Sequence, residues 1–193
     1  MTTLIAGDDV YAIAEELFTA MVDDEPGAVS QWFGDTPAWQ VPVVAWVDLH
    51  GGWAGRATVT PQRATADDLA RALLQMGADE PVLEEDLHDA FGEVANVVGG
   101  NVKALLPTQG TLGLPQVADH DPGLPGSVLV TEVVLDWRGR PLVLRVRGAA
   151  CPPRPTATEE ESDDPRPGRG RQPRHAADRH PYAAAGRLRL GGP

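Results

Sequence analysis

Glu93 and Asn96 are the residues of this chain whose types and spacing best suit chemistry. They stand three apart in a segment that reads as a long helix, so their side chains project as neighbours from one turn. A carboxamide can accept a hydrogen bond from water while its NH₂ donates elsewhere, and the neighbouring carboxylate adds an anionic group. Taken alone, a Glu and an Asn at this spacing on a polar helix face more often mean solvation than function.

A wheel at 100° per residue centred on Val94 places Leu87, Ala90, Phe91, Val94, Val97, Val98, Val102 and Leu105 in one apolar stripe, the face to be buried. Asn101 falls inside that stripe and needs a hydrogen-bond partner there. Asp86, Asp89, Glu93, Asn96, Gly100 and Lys103 lie on the polar side. Gly92, Gly99 and Gly100 each cost up to about 1 kcal/mol relative to alanine inside a helix, so something keeps bulk away. Either another surface approaches the carboxamide closely or the helix packs tightly on its own domain; spacing alone leaves both open. The candidate partner-contact set is Asp89, Gly92, Gly99, Gly100 and Lys103.

Other constellations carry less. Asp119-His120-Asp121 lies in a Pro/Gly-rich stretch without further ligands and reads as a solvated loop. His88, His175 and His180 are scattered, which disfavours a zinc site. No serine sits in a G-x-S-x-G elbow, and Gly99-Gly100-Asn101 lacks the Lys-Ser/Thr of a phosphate-binding loop. Cys151 is the single cysteine, so no intrachain disulfide or CxxC pair can form, and a reducing compartment fits.

The elements that must position the pair follow from periodicity. Val10, Ile13, Leu17 and Met21, after Asp8 and Asp9, predict an amphipathic helix ending near Asp24. The runs 40–49 and 53–60, joined by His50-Gly51-Gly52, predict a hairpin. Thr65 offers an N-cap for a helix over 66–76. Pro81 suits a first helical turn, and the long helix runs over 83–106 until Pro107. A short strand is expected over 112–117, and a second hairpin over 127–137 and 141–147 around Arg138-Gly139. Trp46, Trp53 and Trp137 fall in strands as core or sheet-face residues. Strands arriving in hairpins with helices between them predict an α+β fold, a mostly antiparallel sheet with helices packed on one face.

The chain is divided in composition. Residues 149–193 are rich in Pro, Arg, Gly and Ala and are expected to be disordered. That stretch carries eight Arg and six acids, leaving eight basic and twenty-two acidic residues in 1–148, a net charge of −14. Such a balance argues against nucleic acid as the ligand of the body. No stretch of about 18 apolar residues marks a membrane span, and a cytoplasmic location is expected. A domain of roughly 150 residues buries about 70% of its unfolded surface and needs no metal to fold.

The run Asp89-Ala90-Phe91-Gly92-Glu93-Val94-Ala95-Asn96-Val97-Val98-Gly99-Gly100-Asn101-Val102-Lys103 resembles the signature helix of the CheC/CheX/FliY chemotaxis phosphatases: Glu, two residues, Asn, then a small-residue segment. Upstream, Val47 to Val59 resembles the glycine-bearing hairpin of that family, and 66–76 the helix after it. The likeness spans roughly residues 10–148. CheC-type members carry the motif twice and CheX-type members once; the first helix here has Glu15, Glu16 and Thr19 but no second Glu-x-x-Asn, so the single copy resembles CheX. The resemblance implies a homodimer that hydrolyses the aspartyl phosphate of a CheY-like response-regulator receiver domain. It also implies that Asn96 orients the attacking water and that Glu93 pairs with the receiver lysine. No cofactor of the chain's own is expected, Mg²⁺ being supplied by the receiver. The rival reading is a non-catalytic module of the same fold that binds a signalling partner.

Overall fold

The computed structural model describes residues 5–23, 27–35 and 38–149. Its elements are α1 (Gly7–Met21), β1 (Val29–Gln31), β2 (Val44–Gly51), β3 (Gly55–Pro61), α2 (Arg63–Leu73), α3 (Glu84–Ala104), β4 (Gly110–Leu112), β5 (Gln116–Ala118), β6 (Ser127–Trp137) and β7 (Arg140–Ala149). The seven strands form one antiparallel sheet in the order β1-β6-β7-β3-β2-β4, with β5 also on β2.

The fold is α+β, with all three helices contributing to one core on one sheet face. Alternation along the strands decides which side chains enter it: Ala45, Val47 and Leu49 of β2, Ala57 and Val59 of β3, Leu142, Leu144 and Val146 of β7, and Val133, Leu135 and Trp137 of β6. Against them lie Val10, Ile13, Leu17 and Phe18 of α1, Leu69 and Ala70 of α2, and Leu87, Phe91, Val94, Val98 and Val102 of α3. Trp137 packs against Phe18, ring centroids 6.2 Å apart, and its indole N–H donates to Asp23 Oδ2 at 2.7 Å.

The β6–β7 hairpin turns through Arg138 (φ 53°) and Gly139 (φ 76°). Two consecutive positive-φ residues match the type I′ geometry that suits strand twist.

Several boundaries differ from expectation. Thr65, expected to cap α2, is buried inside its first turn; Gln62 stands at the N-cap without a side-chain capping bond. The helix starts early because Gln62 bridges Pro42 and the Arg63 N–H donates to Val41 O at 2.8 Å, tying its start to the end of β3. Pro81 lies outside α3, which begins at Glu84 after the Leu83 N–H donates to Asp86 Oδ2 at 2.7 Å. The single strand expected over 112–117 is two short strands separated at Gly113–Pro115, because Pro115 has no N–H for a continuous ladder. β7 runs two residues further than expected, to Ala149. The disordered stretch expected over 149–193 falls, apart from Ala149, outside the described residues, as do Cys151, His175 and His180. Among the described residues no helix is long and apolar enough to cross a membrane.

Candidate functional site

α3 is the rod on which the site stands. Its 21 residues span about 31 Å at 1.5 Å per residue. Three acids in the first turn and Lys103 in the last complement the helix dipole. Leu87, Ala90, Phe91, Val94, Val98 and Val102 of the expected stripe are buried, Val97 is half-buried and Leu105 lies largely outside at the C-cap. Burial extends beyond that stripe to Gly92, Ala95 and Gly99, because β4 and β5 flank the helix on that side. Half-buried Asn101 finds the partner its position requires, its Nδ2 donating to Val97 O at 3.0 Å.

Glu93 and Asn96 are both exposed on the opposite side, with Asp89 beside them. Among the described residues none of the three side chains makes a hydrogen bond or ion pair, although the neighbouring acids do: Glu84 Oε1 accepts from Arg63 Nη1 at 2.6 Å and Asp86 caps its own helix. Lys103 is half-buried two turns beyond Asn96.

The three helix glycines divide by what surrounds them. A Cβ on Gly99 would run into Val47 Cγ1 and meet Leu112 Cδ2 at 3.5 Å, so this glycine lets α3 lie directly on β2 and β4. Its placement in the partner-contact set is corrected accordingly: it faces its own sheet. A Cβ on Gly100 would meet nothing within 4 Å, and one on Gly92 only Pro115 Cγ at 3.8 Å, an ordinary contact. Gly92 and Gly100 lie four residues before and after Asn96, Gly92 buried beside Pro115 and Gly100 half-buried next to open space. Neither is required by the packing of the chain.

The pair sits on an outward helix face. Clefts of about 430 Å³ open elsewhere, one lined by Arg71, Met76, Trp137 and Arg138, the other by Val41, Arg63, Glu84 and His88, and neither is lined by Glu93 or Asn96. A convex site of this kind suits a macromolecule that brings its own reactive group, since small-molecule sites are concave.

Charged groups with perturbed titration lie away from the pair. Hydrogen bonds from Arg63 to Glu84 and Asp67 raise the guanidinium above its usual range. Asp119 is held below the usual carboxylate range by its contact with His120, at 2.7 Å. Neighbouring Asp121 lies 3.9 Å from Arg56 and accepts from the Gly123 N–H at 2.8 Å. Among the described residues no three His, Cys, Asp or Glu side chains gather as they would around a metal ion.

Two features had no signal in the sequence reading. Arg56 is buried on the sheet face opposite the helices, forked onto Asp48 (2.7 and 3.1 Å), donating to Gly123 O at 2.8 Å and stacked 5.1 Å from the Trp46 ring. Leu114, beside the Pro115 that abuts Gly92, is 83% exposed.

Compared with known proteins, residues 43–127 match the family model described as chemotaxis phosphatase CheX. No curated protein matches in sequence. Among solved structures, chemotaxis protein CheX from Vibrio vulnificus is similar at TM-score 0.58 and 15% identity, covering 72% of this chain and 93% of that one. A CheX from Desulfovibrio desulfuricans is similar at TM-score 0.56 and 19% identity, covering 73% and 97%. A CheX-CheY-BeF3-Mg²⁺ complex from Borrelia burgdorferi is similar at TM-score 0.51 and 15% identity, covering 74% and 97%. At these identities the structural likeness speaks for the fold.

Proposed function

We propose that this chain is a CheX-like family member, on the match of residues 43–127, and that it hydrolyses the aspartyl phosphate of a CheY-like receiver domain with Asn96 and Glu93 of α3. The observation that carries the reading is the state of those two side chains: adjacent, exposed, unpaired among the described residues, and followed one turn on by Gly100, beside which a Cβ would meet only open space.

Phosphoryl transfer is catalysed mainly by positioning and charge stabilisation, and a receiver supplies Mg²⁺ and a lysine around its phosphate. The missing part is a water aligned with the P–O bond to the aspartate. The Asn96 Oδ1 accepts a hydrogen bond from that water while its Nδ2 donates to a neighbouring oxygen, which holds the nucleophile in line. Water oxygen bonds to phosphorus, the acyl P–O bond breaks, and the aspartate leaves as carboxylate. The Glu93 carboxylate pairs with the receiver lysine and fixes α3 against the phosphate. Gly100 keeps the turn after Asn96 thin enough for a partner's loop to reach it. The solved CheX–CheY complex of the same fold supports a receiver as the partner class.

The test is phosphate release from receivers phosphorylated by a small-molecule donor. Asn96→Ala is expected to return the rate to the spontaneous one with docking retained, and Glu93→Ala to weaken both rate and docking. An Asn96→Ala protein as fast as the parent removes the water-positioning role. Binding without acceleration by the parent leaves a non-catalytic binding module instead.

We further propose that the protein is a homodimer. Among the described residues, β6 pairs with β1 at its last three residues and Val134 O accepts from the Trp32 N–H at 3.0 Å, leaving an open edge before Val134 on which Val128 and Leu129 are exposed. Unpaired apolar edges are templates for another strand.

A further inference from the structure

We infer that Leu114 is the apolar anchor of the docking surface around Asn96, seating a hydrophobic side chain of a receiver-domain partner whose surroundings at that contact are basic. The inference rests on the reading that α3 is the receiver-facing helix and adds to it a contact outside that helix.

Leu114 stands at the apex of the three-residue step between β4 and β5, and both strands pair with β2, so the step is held at each end by the sheet. It is pinned within as well. The Gly113 N–H donates to Asp48 O at 2.7 Å, and the ring of Pro115, whose φ is preset, lies 3.8 Å from where a side chain on Gly92 would begin. Single exposed leucines are ordinary on protein surfaces. What distinguishes this one is its placement: its neighbour Pro115 lies beside Gly92, the residue one helical turn, about 6 Å of rise, before Asn96. At 83% exposure Leu114 adds little to its own core. A partner that covers it gains burial without first ordering a loop.

Charge selects the surroundings. Along the outward side of α3, Glu85, Asp89 and Glu93 make no ion pair among the described residues, and Lys103 is the first Lys or Arg reached. Potentials across an interface are complementary, so the opposing surface carries Lys or Arg around its apolar contact.

The experiment uses the full chain against receiver domains of the same organism. It measures Kd for each beryllofluoride-loaded receiver, and KM and kcat for release of phosphate from the phosphorylated form. Leu114→Ser is expected to raise Kd and KM about tenfold, the effect of removing one anchoring side chain, with kcat within about twofold and the thermal midpoint unchanged; Leu114→Met is expected to restore parent values. Parent-like Kd and KM in Leu114→Ser overturn the inference. If the parent accelerates phosphate release and Leu114→Ser matches it throughout, the anchor falls and the phosphatase reading stands. Should the parent bind in a Leu114-dependent way without acceleration, the anchor stands and the phosphatase reading falls. A parent that engages no receiver sinks both.

Discussion

Asn96 works through geometry, so the residues around it matter as much as its own chemistry. Gly100 lies one turn beyond it, with open space where a Cβ would stand. Alanine there fits the chain and improves helix propensity by up to about 1 kcal/mol, yet it places a methyl group where a receiver's loop must pass. Gly100→Ala is therefore expected to leave stability equal or higher while slowing receiver dephosphorylation several-fold, with thermal melting and phosphate release measured on the same protein. Unaltered activity would show that the gap is not used for access. Gly92→Ala faces the same test with a smaller margin, because Pro115 already lies beside it.

At the scale of elements, the register of α3 on the sheet decides whether the pair faces solvent. Gly99 sets that register by allowing the helix to lie against Val47. The buried valine cannot swing away as a long side chain would. Gly99→Ala is expected to destabilise the fold by about 1–3 kcal/mol through overpacking, partly offset by helix propensity, as read from denaturant midpoints. Neighbouring glycines in one helix thus predict stability changes of opposite sign. A stabilised Gly99→Ala would mean that the helix stands further from β2 than described.

Across the whole molecule, the Arg56–Asp48 pair ties the connection through Gly123 to the helix-free face of the sheet. Asp48 is about a third exposed, whereas Arg56 is almost fully covered. Asp48→Ala removes the carboxylate fork from a buried guanidinium, and breaking buried pairs costs about 3–5 kcal/mol; partial exposure places the expected loss at or below the lower figure, checked by chemical denaturation. Assembly is tested on the open β6 edge. Leu129→Lys introduces a charge where a second chain would add a strand, a device that blocks edge pairing, so sedimentation should show the dimer giving way to monomer. A monomeric parent would remove the homodimer proposal.

Residue order alone determined what arises within a few turns of chain: the apolar periods of α1 and α3, the positive-φ turn at Arg138-Gly139, the Asn101 bond back to Val97, and the projection of Glu93 and Asn96 from one turn. Those features are local, so neighbouring residue types settle them. The tertiary structure decided what depends on residues far apart in sequence. β1 has only three residues and exists through pairing with Val29↔Trp137 and its neighbours. α2 begins where the Pro42–Gln62 bridge ties it. Gly99 differs from Gly100 only because Val47 lies beneath one of them, and Arg56 meets Gly123 across 67 residues of chain. Leu114 gains its place beside the site because β4 and β5 both return to β2. No helical or strand period records such approaches, since each is fixed by which surfaces the core brings together.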